Sequence, residues 1–307
     1  MTSQERKEPG APSIAAVVVN WNGGGLAVDC VQSLLRQTLK PTVFVVDNAS
    51  SDGSIEQIER DAPAARVIRN KTNRGYAAAN NQALAEAAMH DYVLLINNDA
   101  VLTDADSLQI VVAQLEREPC VAGACGRFEY PDGKFQPFYN RLPKPLDLAT
   151  VFGFGRRLKL MVRRRGLQSY FLADADFSKP CDIEQPAFAC VLARGEALRR
   201  TGLLNEAYPI FFNDVDYCLR WKNQGWTWRY FPEWRVVHHH GNSVNKLGDC
   251  GPELLSSAVR FAKRNYDPLG RTIVTLFAAI EAAWMKYVKA DGRFRVFQIA
   301  RGETLFK

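Results

Sequence analysis

Three apolar runs in the first hundred residues end abruptly in carboxamides and carboxylates. Residues 15–19 lead into Asn20-Trp21-Asn22, residues 43–46 into Asp47-Asn48, and Tyr92-Val93-Leu94-Leu95-Ile96 into Asn97-Asn98-Asp99. An Asp held at the carboxyl end of a buried strand can take a hard divalent cation, and the cation can take a diphosphate. Open α/β sheets bind ligands beyond the carboxyl ends of their strands. Three polar ends of this kind imply one nucleotide pocket.

Four further clusters carry chemistry. Asp47-Asn48-Ala49-Ser50-Ser51-Asp52-Gly53-Ser54 leaves a strand and opens a helix. Its carboxylates can take base or ribose donors and its amides suit an anion, although a capped turn has the same composition. Asn73-Arg74-Gly75-Tyr76, followed by Asn80-Asn81, places Arg74 to meet phosphate, and two Asn inside a helix are poor helix formers. Phe211-Phe212-Asn213-Asp214-Val215-Asp216 sets a carboxylate beside an apolar wall, which raises its pKa and suits a general base. The plainer alternative has Asp214 capping a helix and Asp216 pairing with Arg220 at i,i+4. His238-His239-His240 holds three of the four His. On a strand His238 and His240 share one face and His239 takes the other. Imidazole with carboxylate is an ordinary divalent-metal set, and a structural His cluster is the alternative.

The elements that must position these residues alternate. Residues 14–19, 43–46, 66–69 and 92–96 read as strands, and 26–37, 55–60, 76–89 and 107–117 as helices. That order implies an α/β fold, a mostly parallel sheet with helices on both faces. Residues 13–118 form the nucleotide half of a domain that extends to residue 250. In the second half, 119–250, strands are expected at 121–130, 187–194, 226–232 and 236–240, and helices at 195–200 and 214–224. Residues 141–180 read as a long mobile loop carrying Arg156, Arg157, Lys159, Arg163, Arg164 and Arg165. Residues 1–12 read as a disordered leader with no apolar signal core, and 251–307 as a helical C-terminal extension.

With 307 residues, 47% of them hydrophobic, the chain can bury one large core. Seven Cys with no Cys-x-x-Cys pair indicate reduced thiols and a cytoplasmic protein. The net charge of +6 gathers in the 156–165 cluster and past residue 259. Such clusters suit pyrophosphates, anionic lipid head groups or nucleic acid, or are simply solvated. Residues 273–288 contain Glu281 and Lys286 and fall short of the roughly 20 apolar residues of a membrane span. A core helix or an interfacial amphipathic helix fits them.

Taken in order, Val17-Val18-Val19-Asn20-Trp21-Asn22, the Asp47 to Ser54 loop, Asn73-Arg74-Gly75-Tyr76 with Asn80-Asn81, Leu95-Ile96-Asn97-Asn98-Asp99, Asn213-Asp214-Val215-Asp216 with Arg220, and His238 with Gly241 and Ser243 resemble the inverting glycosyltransferases of family 2, and most of all their bacterial rhamnosyltransferase branch. The resemblance spans roughly residues 14–245. It implies a single GT-A type domain and transfer of one sugar, with rhamnose favoured, from a nucleotide-diphosphate sugar to a glycan or lipid-linked glycan in bacterial cell-surface polysaccharide (O-antigen) synthesis. It implies Asp214 as catalytic base, Asp99 and His238 as ligands of Mg²⁺ or Mn²⁺, and Asn20, Asn22, Asp47, Asp52, Arg74, Gly75, Asn80 and Asn98 as the nucleotide-sugar set, with Asn81 a weaker candidate. Asp216, Arg220 and Trp221 would contact or orient the acceptor. The partners implied are dTDP-rhamnose or a UDP- or GDP-sugar and a polyprenyl-diphosphate-linked glycan, with no nucleic acid. The setting implied is the cytoplasm, peripheral on the inner face of an anionic membrane.

The chain departs from the family pattern at three points. Asn97 stands where the first acid of Asp-x-Asp is usual, Asn213 where a Glu usually precedes the base, and Leu204-Asn205-Glu206 where Phe-Asp-Glu is common. The Gln-x-x-Arg-Trp sequence of processive synthases is absent, which argues for single addition. Two other classes compete. A sugar nucleotidyltransferase would carry a basic residue in its Gly-rich loop, but none follows Gly23-Gly24-Gly25 until Arg36. A non-catalytic nucleotide-sugar or glycan binder would explain Asn97 and Asn213 but not the retention of Asp99, Asp214 and His238.

Overall fold

The computed structural model describes residues 10–151, 170–239, 250–289, 291 and 295–304. Most of the expected leader, the basic cluster at 156–165, and His240, Gly241, Asn242 and Ser243 lie outside the described residues.

The nucleotide half is four parallel strands, β1 (Ile14–Asn20), β2 (Thr42–Asp47), β3 (Arg66–Arg69) and β4 (Tyr92–Asn97), in the order β3-β2-β1-β4. Their Val- and Ile-rich runs carry no alternation because helices cover both faces. Val17, Val18, Val45, Val46 and Leu94 are fully buried. The helices that follow them are α1 (Gly24–Leu35), α2 (Ser54–Asp61), α3 (Gly75–Ala87) and, after β5 (Ala100–Leu102), α4 (Ser107–Arg117).

Beyond β4 the parallel pattern ends. β10 (Cys190–Arg194) lies antiparallel between β4 and β6 (Val121–Glu129). β11 (Thr227–His238) runs parallel to β6, with β5 and β8 (Cys181–Ile183) antiparallel against it. The expected mostly parallel sheet therefore holds for the first half, and the nine-stranded whole is mixed. A short ribbon of β7 (Tyr139–Asn140) with β9 (Gln185–Pro186) stands apart.

Two sequence expectations are corrected. The two strands expected at 226–232 and 236–240 are one, β11, whose register slips between Phe231 and Arg235. Pro232 has no N–H to donate, so it forces a bulge rather than an end. The stretch 141–180 is not wholly irregular, since it contains α5 (Pro145–Val151). Asp147 anchors that helix by accepting from the Lys144 amide at 2.7 Å and pairing with Arg141 at 2.8 Å.

After α6 (Gly195–Thr201), α7 (Asn213–Asn223) packs Trp221 flat on Trp228 of β11, ring centroids 4.5 Å apart. The tail folds as expected into helices, α8 (Gly251–Asn265), α9 (Pro268–Tyr287) and α10 (Val296–Arg301). They form a second apolar cluster in which Leu255, Phe261, Val274 and Ala278 meet Phe212 and Val215. The tail thus supports the two residues that bracket Asn213 and Asp214. Among the described residues no helix is long and apolar enough to cross a membrane.

Candidate active site

Strained backbone marks the ends of the first two strands. Asn22 and Ala49 adopt left-handed φ values of 51° and 63°, conformations that non-Gly residues hold only when their surroundings over-determine them. The buried Asn20 supplies much of that constraint. Its amide nitrogen lies 3.0 Å from the Asp47 carboxylate, 3.1 Å from the Ser50 hydroxyl and 2.9 Å from the Ser54 hydroxyl, and its carbonyl accepts from Asn98 at 3.2 Å. One side chain thereby ties the ends of β1, β2 and β4 together. Asn22 accepts from the Ser51 amide at 2.8 Å. Asp52 accepts from the Gly24 amide at 2.8 Å and from the Ser54 hydroxyl at 2.6 Å. Partial burial raises the Asp52 pKa, but the Ser54 and Gly24 donors outweigh it and hold the carboxyl below its ordinary value.

These strand ends border a cavity of about 700 Å³ lined by Trp21, Asn48, Gly75, Asn97, Asn98, Asp99, Asp214 and His238 among others. Gly75 has φ +81°, and a Cβ there would lie 2.7 Å from the Pro209 carbonyl, so only Gly lets the chain pass. Asn48 donates to the Gly75 carbonyl at 3.1 Å and fixes that turn.

Asp99 and His238 face each other on the cavity wall, each 4% exposed, with Nε2 3.3 Å from Oδ1. The antiparallel pairing of β11 with β5 brings them together across 139 residues, and the His239 amide donates to the Asp99 carbonyl at 2.9 Å. Gln136, fully buried, decides the imidazole tautomer. Its Nε2 donates to the His238 carbonyl at 2.6 Å, so its Oε1 must be the atom 3.1 Å from His238 Nδ1. A carbonyl oxygen only accepts, so Nδ1 carries the proton and Nε2 is turned toward the Asp99 carboxylate. A lone pair and a carboxylate at that distance want a cation or a proton between them. The donor set therefore fits a divalent metal. Among the described residues no group of three or more His, Cys, Asp or Glu could hold a metal ion, so other ligands must complete the coordination shell. His239 is exposed.

Gln136 was invisible in the sequence, and its role is testable. Replacement by Leu removes the acceptor at Nδ1 and the clamp on the His238 carbonyl. Mn²⁺ affinity, measured by calorimetry without donor, is expected to fall about 10- to 100-fold, the usual cost of losing an outer partner of a metal-ligating His. An unchanged affinity would remove Gln136 from the site.

Asp214 lies in the first turn of α7, after Phe212, which adopts a left-handed φ of 67°. Asp214 Oδ1 accepts from the Val215 amide at 2.9 Å and Oδ2 from Gln185 Nε2 at 3.1 Å. Burial pushes its carboxyl up from 3.8 to about 6, against the pull of the Val215 amide and Gln185. Around it the cavity wall is aromatic, with Phe138, Tyr170, Phe171 and Phe211. The Tyr170 phenol is raised, mainly by burial and further by the charge of Asp214. Gln185 also had no sequence signature. Its Oε1 accepts from Asn140 at 3.1 Å across the β7–β9 ribbon.

The structure thus brings Gly75, Asn98, Asp99, Asp214 and His238 to one cavity. Asn20, Asn22, Asp47, Asp52 and Asn80 are not among the lining residues; the first four brace the strand ends, and Asn80 bonds within its own helix. Asp47 accepts from Asn20 and the Ser50 amide, and Asn80 donates to the Tyr76 carbonyl at 2.9 Å. Arg74 is exposed between the lining residues Asn73 and Gly75. Asn81 bonds both ways to the Leu204 backbone, at 2.9 Å each. Asp216, Arg220 and Trp221, expected to contact or orient the acceptor, are not among the lining residues. Arg220 spends its donors on Asp216, the Thr201 carbonyl and the Leu203 carbonyl, at 2.9 Å each, and Trp221 is fully buried. They hold α7 in place.

The class to which this fold and site belong is defined by residues 15–173, which match the Glycosyl transferase family 2. The chain belongs to that family and is a glycosyltransferase. Among its relatives, the N-acetylglucosaminyl-diphospho-decaprenol L-rhamnosyltransferase of Mycobacterium tuberculosis is 26% identical over 247 residues, covering 76% of this chain and 78% of that protein. The protein y4gI of Sinorhizobium fredii is 27% identical over 257 residues; the match takes in 80% of this chain but spans only 26% of that longer protein. Among solved structures, the mannosyltransferase PcManGT from Pyrobaculum calidifontis, in complex with GDP-Man and Mn²⁺, superposes with a TM-score of 0.54 at 17% identity, covering 96% of this chain and 74% of that one. That likeness fixes the GT-A type of fold.

Proposed function

We propose that the protein moves one sugar from a nucleoside-diphosphate donor to a hydroxyl of a glycan or lipid-linked glycan, inverting the anomeric carbon. The observation that carries the reading is the convergence on one cavity of the Asp99–His238 pair and the raised carboxyl of Asp214. The nucleotide would lie over Trp21, Asn48, Gly75 and Asn98, on a floor held by Asn20, Asn22, Asp47, Asp52 and Asn80, with Arg74 reaching phosphate. Asp99 and His238 would hold Mg²⁺ or Mn²⁺, which when bound offsets the charge developing on the leaving diphosphate. Asp214, within about 3 Å of the acceptor oxygen, takes its proton as that oxygen bonds the anomeric carbon and the bond to the diphosphate breaks.

The rhamnosyltransferase relative supports rhamnose as the sugar and a diphosphate-linked lipid as the acceptor, and dTDP-rhamnose is the donor we propose. The aromatic wall beside Asp214 suits the apolar face of such a substrate. An acceptor of that kind would require the enzyme to work at a membrane surface, which we propose is the cytoplasmic face.

The test is thermal stabilisation by dTDP-, UDP- and GDP-sugars with and without Mn²⁺, followed by product analysis with the best donor. A donor at 100 times its dissociation constant adds about 2.7 kcal/mol. A metal-dependent shift selective for one base is expected. No shift with any donor in the presence of metal would overturn the reading.

A further inference from the structure

The outer face of α9 is apolar and, among the described residues, uncovered. Leu269, Ile273, Leu276, Ile280, Ala283 and Tyr287 follow one another at alternating spacings of four and three, which sets them in one stripe along the helix. Leu269 is 68% exposed, Leu276 54% and Tyr287 73%. The opposite face, with Val274, Ala278 and Ala282, is buried in the second core. Two neighbouring elements also carry exposed apolar side chains. Leu146 on α5 and Phe297 on α10, both elements packed against α9, are 63% and 83% exposed.

The spacing suits either a lipid surface or a second helix, and the charges decide between them. The only acid in α9, Glu281, is buried, while Arg271 is exposed and Lys286 partly so. Just past the helix Lys289 is exposed and stacks on Trp284, as Lys286 does on Tyr287, at 5.4 and 5.0 Å from the ring centroids. Residues 251–307 hold ten basic and five acidic side chains, so nearly all of the net charge of +6 resides in this segment. The acid nearest the stripe, Asp267, is exposed but is engaged as the helix cap, accepting from the Gly270 amide at 2.9 Å, so a second copy would answer the basic flank weakly. An anionic bilayer answers it directly, and Lys beside interfacial Trp and Tyr can reach head groups while the ring stays at the acyl boundary.

We propose that the exposed face of α9, with Leu146 and Phe297, docks on an anionic lipid surface and holds the enzyme there without spanning it. The proposal deepens the reading of a lipid-linked acceptor and rests on it only for its purpose.

The experiment is co-sedimentation of the full-length protein with phosphatidylcholine vesicles, with or without a third of phosphatidylglycerol, at 50 and 500 mM salt. The protein is compared with Leu276→Asp/Ile280→Asp and with Lys286→Glu/Lys289→Glu. Binding is expected only with phosphatidylglycerol, weakened by salt. The first variant should bind at least 10-fold more weakly and the second several-fold more weakly. Both should keep the wild-type melting temperature and donor-induced shift, since the substituted side chains lie outside the cavity. That control separates failure of the surface from failure of the donor site. Vesicle binding unchanged by Leu276→Asp/Ile280→Asp would overturn the proposal. So would no binding by the wild type, or a dimer that the same variant dissociates while vesicles are ignored.

Discussion

Asp214→Asn is expected to lower turnover by about 10²- to 10⁴-fold, the usual contribution of a positioned base, while raising stability at pH 8. The two effects share one cause. Burial lifts the Asp214 carboxyl from 3.8 to about 6 in the folded protein. The folded state therefore binds a proton more tightly than the unfolded state. The stability associated with the protonated form is fully present below about pH 4 and is lost as pH rises through about 6. At pH 8 the wild type carries a half-buried, ionised carboxylate at a cost that the amide does not share. Two pKa units correspond to about 3 kcal/mol. Because the carboxyl opens onto the cavity, a gain of about 1–2 kcal/mol is expected for the variant. Gln185 must turn its amide so that Oε1 meets the new Asn, and Asn140 must follow. Denaturant melts at pH 4 and pH 8, with turnover measured at pH 8, check both effects. The wild-type kcat/KM should fall on the acid side with an apparent pKa near 6. A variant that is equally active, or stabilised at pH 4 as much as at pH 8, would remove Asp214 from the role of base.

The sequence carried the strand ends well and the contacts across the sheet poorly. Val17-Val18-Val19 and Leu94-Leu95-Ile96 are apolar throughout because both faces of their strands are covered, and the polar stretch after each run lies at the end of the sheet that borders the cavity. Asp99, just past such a run, is therefore marked by the sequence alone. The Asp216–Arg220 pair was also legible, since i,i+4 neighbours are fixed by the helix itself. What that pair does was not legible, because the Thr201 and Leu203 carbonyls that occupy Arg220 come from another element. The same limit hid Gln136 and Gln185, which meet His238 and Asp214 only through β11 and the β7–β9 ribbon, 102 and 29 residues away. Alternation placed His238 and His239 on opposite faces but could not say which face is buried. The pairing of β11 with β5 settles that for His238. Helix α5 escaped notice because seven residues make too few turns to establish a period, and its anchor, the Arg141–Asp147 pair, is a tertiary contact.

Asp99→Asn is expected to abolish the metal dependence of donor binding while leaving the metal-free fold intact. The Asn amide can donate to His238 Nε2 across the 3.3 Å that now separates that nitrogen from the carboxylate, so the pair becomes a neutral hydrogen bond rather than an orphan. It loses the negative charge that a divalent cation needs, and with it the electrostatic relief of the leaving diphosphate. Turnover should fall by about 10²- to 10³-fold or more, the range seen when one preorganised charge-stabilising contact is removed. Nucleotide-induced stabilisation should become the same with and without Mn²⁺. The adjacent position gives the opposite test. Asn97 lines the cavity two residues before Asp99 and supplies no charge. Asn97→Asp adds a second carboxylate and should tighten Mn²⁺ several-fold, at the cost of lower metal-free stability from repulsion with Asp99. Manganese titration followed by calorimetry reads both variants. If Asp99→Asn bound Mn²⁺ as the wild type does, the Asp99–His238 pair would be a structural ion pair and the cation would have to be held elsewhere.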